Sequence, residues 1–280
     1  MYFNRTKNLT IHQKSDLFYI TFPSFDKTHL VNHCFSTKLG GVSKGIYESL
    51  NLGFGRGDND ENVKKNYQIL CGAIDVNYEN LVFSNQVHGI NIKVITKEDA
   101  NKPINTFKDS EGIDGLVTNV SKLPLVTLYA DCVPLFFLDP IKRVVGLAHA
   151  GWRGTVSKIG LEMVKVFRDI FHSDPKDILV GIGPSIGKCC FEVDESVAKE
   201  FETAFLIANN IVYPQKNNKY IIDLWEANKK ILVDSGVSPL NITVTDLCTK
   251  CNKDIFFSHR GHNGKRGSLA AIIELKESSN

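Results

Sequence analysis

The run "LPLVTLYADCVPLFFLDPIKRVVGLAHAG", residues 123–151, constrains this chain more than any other stretch. It reads as three short strands rich in Val, Leu and Phe, with Asp139–Pro140 as the turn between the second and third. Strands that are apolar at successive positions, rather than alternate ones, leave no face for water. The sheet they build therefore needs a covering layer on each side. The next segment, "TVSKIGLEMVKVFRDIF", supplies one, because Ile159, Met163, Val166 and Ile170 recur at helical spacing behind Thr155 as N-cap. The chain then returns into an apolar strand, "DILVGIGP". Strand, helix and strand in that order predict a parallel pair joined by a crossover helix. The fold class is α/β.

Before this segment come short strands and polar turns, "DLFYITFP" and "HLVNHCFSTKLGG", then the glycine-rich "NLGFGRGDND". Asn59 or Asp60 is placed to cap a helix carrying Val63, Tyr67 and Leu70. "NLVFSNQ" reads as a strand ending at His88–Gly89. Later, "DESVAKEFETAF" and "DLWEANKKILVDSG" read as helices, the second opened by Asp223 with Glu226 three residues on. "NITVTDLC" and "SLAAIIEL" close the chain as strands. No repeat or low-complexity linker divides the sequence, so residues 1–280 read as one domain, with 1–20 as an N-terminal strand extension.

Charge excludes two classes of partner. With 33 basic and 31 acidic side chains the net charge is +2, and no run of five like charges occurs. Neither nucleic acid nor a membrane surface is indicated. No stretch resembles a signal peptide or reaches the roughly 18 apolar residues of a membrane span. The expectation is a cytoplasmic protein whose seven cysteines stay reduced.

Three chemically capable groups fall at predicted strand ends: His88, Cys132 and His149. Two imidazoles and a thiolate suit a catalytic zinc with an open fourth position. Such a centre lowers the pKa of a bound water to roughly 7. Their spacing matches no local zinc motif, and a cytosolic cysteine in an apolar run is ordinarily a small core residue. Asp131 beside Cys132 sharpens the case, since an acid at the end of a buried strand is costly without a partner. Arg153, between Gly151 and Gly154 and just before the predicted helix, offers a forked donor for an anion. The plain alternative is an arginine stacked on Trp152. Lys38, ahead of Gly40–Gly41, is a second cation beside a flexible turn. "GIGPSIG", residues 181–187, loosely resembles a dinucleotide loop, but its spacing and Pro184 argue against one. Cys248 and Cys251, with His259 and His262 downstream, raise a second, structural zinc, although the gap is short for a zinc finger.

"FSTKLGGVS", "NLGFGRGD", "NQVHG", "DGLVT", "ADCVPLFFLDP", "AHAGWRGT", "IGPSIGKCCFEV" and "LCTKCNKDIFFSHRGHNGKRG", in that order, resemble the laccase-domain, or YfiH-like, proteins from about Phe35 to Ile273. The resemblance implies a four-layer α/β sandwich with mixed sheets and a zinc site of His88, Cys132 and His149, where copper can substitute. It implies phosphorolysis of adenosine, inosine, guanosine and methylthioadenosine, and deamination of adenosine. Catalytic roles then fall to Cys132, His149, Asp131 and Arg153. Contacts to the nucleoside and phosphate fall to Lys38, Asn85, Gln86, Arg153 and His259. A monomer or small homo-oligomer is expected. Lys38 departs from the family's usual arginine and cannot grip phosphate bidentately, and His262 replaces part of a compact polar turn.

Three rival readings follow from the same residues. Cys132 as nucleophile with His149 as base gives a metal-independent hydrolase or amidase, for which a peptidoglycan precursor is a candidate substrate. A copper-binding polyphenol oxidase can use a two-histidine, one-cysteine site. The chain's eight histidines hold no His-x-His pair, however, and Met1 and Met163 are its methionines, so a multi-copper centre cannot be furnished. A cell-wall or division interaction protein with a relict site would use the charged helices after residue 190.

Overall fold

The computed structural model describes residues 6–99, 112–206 and 209–277. One six-stranded sheet runs in the order β1 (Thr10–Lys14), β2 (Leu17–Thr21), β3 (Val31–Ser36), β15 (Leu269–Leu275), β7 (Leu125–Tyr129) and β4 (Val82–Phe83). The second runs β14 (Ile242–Val244), β10 (Leu179–Ile182), β8 (Val133–Asp139), β9 (Val144–Ala150), β6 (Gly115–Thr118) and β5 (Ile92–Val94). A small third sheet joins β11 (Glu192–Asp194), β13 (Lys219–Ile222) and β12 (Val212–Pro214).

The doubly apolar strands explain the layering. In β8, Val133, Leu135 and Phe137 enter one core while Phe136 and Leu138 enter another. The second of these cores lies between the two large sheets, where β8 and β9 side chains meet those of β3, β7 and β15. On the outer face of the second sheet sit α3 (Trp152–Val156), α4 (Ile159–Phe171) and α6 (Leu224–Asp234), with Phe201 of α5 (Glu195–Ala204) beside them. The outer face of the first sheet is covered by α2 (Asp60–Ala73) through Val63, Tyr67 and Leu70. The result is helix, sheet, sheet, helix, with α1 (Pro23–Asp26) adding Phe25 to the inter-sheet core. No helix among the described residues is long and apolar enough to cross a membrane.

Local signals hold at the helix starts: Asn59 accepts from Glu61 N at 2.9 Å and Asp223 from Glu226 N at 3.1 Å. Three expectations are corrected. First, β9 and β10 are parallel but not neighbours, because each is antiparallel to β8, which lies between them. The Asp139 carboxylate closes the β8–β9 hairpin by accepting from Ile141 N and Lys142 N, so β9 pairs with the strand next to it in sequence. Second, the helix after β9 is two helices, broken where Lys158 adopts the left-handed conformation. The first starts at Trp152, so Thr155 lies inside it and accepts from Asn228 Nδ2. Restarting at Ile159 buries Met163 and Phe167 and leaves Ile170 53% exposed. Third, the strand of "NLVFSNQ" stops at Phe83. The Gln86 side chain continues the pairing, donating to Leu128 O at 2.8 Å and accepting from Leu128 N at 2.7 Å.

His33 makes the fold acid-sensitive. Its Nε2 accepts the Phe22 N–H at 2.8 Å, so the buried ring is neutral. Burial first, then the charges of His12 and Lys276, hold its pKa down at about 3, whereas an unfolded histidine titrates near 6.5. Since the folded value is the lower, this contribution to stability is complete above about pH 6.5. It falls as pH drops toward 3, by about 1.4 kcal/mol per unit. Urea midpoints measured between neutral pH and pH 4.5 are expected to decline, and His33→Gln, which keeps an acceptor but cannot charge, to flatten that decline.

Candidate active site

The chain steps from the first sheet to the second between Tyr129 and Val133. Asp131 makes the step with φ +89°, and Cys132 follows it, half-buried. His149, 3% exposed, projects from the end of β9, opposite Pro134 of β8. His88 comes from the loop after β4, is exposed, and has φ +64°. The ligand atoms of His88, Cys132 and His149 lie within 4.8 Å of one another.

Asp114, fully buried just before β6, organises two of the three. Its Oδ1 accepts from His149 Nδ1 at 2.8 Å and from His88 N at 3.0 Å. Its Oδ2 accepts from Val87 N at 3.1 Å and Gly89 N at 2.8 Å. One carboxylate thus fixes the loop that carries His88 and leaves the other nitrogen of His149 for the site. Burial alone would raise the Asp114 pKa, but the bonds from His149, Gly89 and Val87 hold it below the ordinary carboxylate value. Sequence reasoning missed Asp114. The signal was present in "DGLVT", an acid at the mouth of an apolar strand, the same signal that drew notice to Asp131.

The donors are poised to release a proton. Burial pushes the Cys132 thiol up, but the charge of His149 and hydrogen bonds from His149 and His88 outweigh it and bring the thiol to about 6. Burial likewise pushes His149 down, and is overcome by the Cys132 charge and the bond to Asp114, which hold the ring at about 9. Without a metal the pair is thiolate and imidazolium.

The same set fits a tetrahedral ion. Zinc with Zn–S of about 2.3 Å and Zn–N of about 2.1 Å needs donors roughly 3.5 Å apart, and Cys132 Sγ is 3.9 Å from His88 Nε2. The cradle leaves no room for a side chain at Gly151, whose added Cβ would meet His88 Cδ2 at 2.9 Å and Cys132 Sγ at 3.4 Å.

The three ligands form one wall of a cavity of about 360 Å³. Leu128, Ile186, Phe191 and Leu224 give it an apolar side, while Arg56, Arg260 and Arg266 give it a cationic one. The partly buried Arg266 bonds Gly267 O and Ser268 Oγ through one nitrogen, and its Nε is buried without a partner. Burial and the neighbouring Arg56 charge both lower its pKa. Asp131 and Cys132 offset part of this, and a half-buried guanidinium with a second one beside it suits a further anion. None of these three arginines was singled out from sequence, because nothing local distinguishes them from solvated ones.

Other predicted residues are placed differently. Asp131 and His259 line the cavity. Both oxygens of Asp131 are committed, to Thr249 Oγ1 at 2.6 Å and Arg260 N at 2.7 Å, so it anchors the loop bearing His259. Gln86 lines the cavity with its amide held by Leu128, whereas Asn85 is not among the lining residues. Arg153 is exposed, stacks 4.2 Å from the Trp152 ring, and is not one of the residues lining this cavity. Lys38 lines a different cavity, together with His262. His259 and His262 do not join Cys248 and Cys251, whose sulfurs instead meet those of Cys189 and Cys190.

These features define a class: a four-layer α/β protein with one two-histidine, one-cysteine donor set where its sheets join, opening on a cationic cavity. The chain belongs to the family described as multi-copper polyphenol oxidoreductase laccase, which it matches over residues 32–276. It is 39% identical over 244 residues to the purine nucleoside phosphorylase YlmD of Bacillus subtilis, covering 87% of this chain and 88% of that one. YlmD from Geobacillus stearothermophilus shares the fold with a TM-score of 0.89 and 35% identity, over 95% of this chain and 99% of that one. The Bacillus licheniformis protein YfiH has the same TM-score at 32% identity, with the same coverage of each chain. Among the described residues, the group of potential metal donors that contains histidine is that of His88, Cys132 and His149.

Proposed function

We propose that this protein is a metal-dependent purine nucleoside phosphorylase that also deaminates adenosine. The observation that carries the reading is the single cavity joining the His88–Cys132–His149 set to Arg56 and Arg266 around the unpaired Nε. The likeness to the purine nucleoside phosphorylase YlmD supports it. The three ligands would hold zinc, and copper is the competitor their softness also admits. A bound ion supplies Lewis acidity at the cavity wall.

The protein's own groups account for the rest. The apolar side receives the purine of adenosine, inosine, guanosine or methylthioadenosine, and the guanidinium groups hold phosphate. In phosphorolysis a phosphate oxygen bonds to the ribose C1′ as the bond from C1′ to the base nitrogen breaks. The departing base takes up a proton, and His259, on the cavity wall and outside the ligand set, is assigned to deliver it. Deamination adds water to the base and releases ammonia.

Chromatography of adenosine incubated with the protein tests this. Adenine that requires phosphate reports phosphorolysis, and inosine formed without phosphate reports deamination. Arg266→Ala is expected to raise the KM for phosphate about 10- to 100-fold, the equivalent of about 1.5–3 kcal/mol, and to leave inosine formation unchanged. If neither product forms, the purine reading fails.

A second reading is favoured by the charge state of the metal-free pair. Cys132, His149 and Asp114 form a thiolate, imidazolium and carboxylate series suited to a cysteine hydrolase. Its activity would survive a chelator.

A further inference from the structure

We propose that Cys189, Cys190, Cys248 and Cys251 form a second metal site, a closed four-thiolate zinc site that staples together two loops of the cavity wall. The four sulfurs lie within 4.8 Å of one another although they come from loops some sixty residues apart. Cys189 and Cys190 stand in the turn after β10, where Cys190 N and Phe191 N both donate to Gly187 O. Cys248 and Cys251 stand in the turn after β14, closed by Asn252 donating to Cys248 O through both its backbone and side-chain nitrogens.

The sulfur geometry is that of a shared centre. Cys251 Sγ is 3.4 Å from Cys189 Sγ and 3.4 Å from Cys190 Sγ, so it has no single disulfide partner. Tetrahedral zinc with Zn–S of about 2.3 Å sets its sulfurs roughly 3.8 Å apart. Gly187 N also donates to Cys248 Sγ at 3.2 Å, the kind of bond that stabilises a thiolate ligand. An added Cβ at Gly187 would meet the Trp225 ring at 3.0 Å and Cys248 Cβ at 3.3 Å, so glycine there lets the loop lie close to both. Four thiolates this close repel one another unless a cation lies between them. Zinc leaves a net charge of −2, which the charge of Lys250 beside Cys251 partly offsets.

The site lies behind the cavity. The loop of Cys189 and Cys190 carries Ile186 and Phe191, and that of Cys248 and Cys251 leads into His259 and Arg260, all four lining the cavity. Their backbones are joined at Ser185 and Cys248, with Thr249 N donating to Ser185 O. A metal there adds a cross-link to these hydrogen bonds and holds His259 and Arg260 in register with Phe191.

Metal analysis of the purified protein tests the site apart from catalysis. The wild type is expected to hold two zinc ions per chain, Cys132→Ala one, and Cys189→Ser/Cys251→Ser one. Cobalt loaded into Cys132→Ala is expected to give the intense thiolate-to-metal absorption of a sulfur-only tetrahedral site, a readout that stands even if the double serine variant fails to fold. One zinc in the wild type and none in Cys132→Ala would overturn the proposal. So would a disulfide from Cys251 to Cys189 or Cys190, found by mass spectrometry of protein alkylated without reduction.

Discussion

Cys132→Ala is expected to abolish both the active-site metal and product formation. The substitution removes the only sulfur among three donors and leaves two imidazoles, one of them on an exposed loop. The several kcal/mol that a Lewis-acidic ion contributes to a transition state correspond to a loss of about 10³-fold or more in kcat/KM. Cys132→Ser restores volume but not a donor that ionises near pH 6 and is expected to recover little. A chelator separates the two mechanisms that Cys132 could serve. If zinc is required, metal removal matches the alanine variant in effect, and readdition restores activity. If the thiolate is itself the nucleophile, chelation leaves the rate unchanged. The metal-free thiol, held at about 6, is mainly thiolate at neutral pH. Its alkylation by iodoacetamide is therefore expected to rise as pH climbs through 6, not through the 9 of an ordinary cysteine, and to be suppressed when zinc is bound.

Asp114→Asn is expected to be the second most damaging single change, although Asp114 does not line the cavity. Each carboxylate oxygen accepts two bonds, all from N–H donors. Asparagine can present one oxygen. Its NH2 group must face either Val87 N and Gly89 N or the pair formed by His88 N and His149 Nδ1, donor against donor. Two part-buried donors left unpaired cost about 1–3 kcal/mol, which differential scanning calorimetry would record as a lowered Tm. The loop carrying His88 loosens and His149 loses its orienting charge. A drop of about 10- to 100-fold in metal affinity is expected, measurable by titration against a competing chelator. Unchanged affinity would show that Asp114 supports the fold without tuning the ligands.

Much of the fold was written in local pattern. Residues apolar on both faces, such as Val133 to Leu138, require a layer on each side, and the two cores flanking β8 are that requirement met. Asn59 and Asp223 cap helices through bonds spanning two or three residues, so neighbouring sequence contained the whole interaction. His88, Cys132 and His149 were visible because a chemically costly residue at the end of an apolar run needs a reason. Tertiary structure alone decided which cations share their cavity. Arg153 and Lys38 sit beside glycines much as binding residues do, yet one stacks on Trp152 and the other faces a separate cavity. Arg56 and Arg266 have no such context and reach the cavity only because the strand that follows Arg266 pairs between β3 and β7. The four cysteines make the same point, since Cys248 and Cys251 had nearer candidates in His259 and His262. Which groups meet depends on the order of strands in two sheets, and that order is set by the combined burial of many apolar side chains. No short stretch of sequence contains that sum.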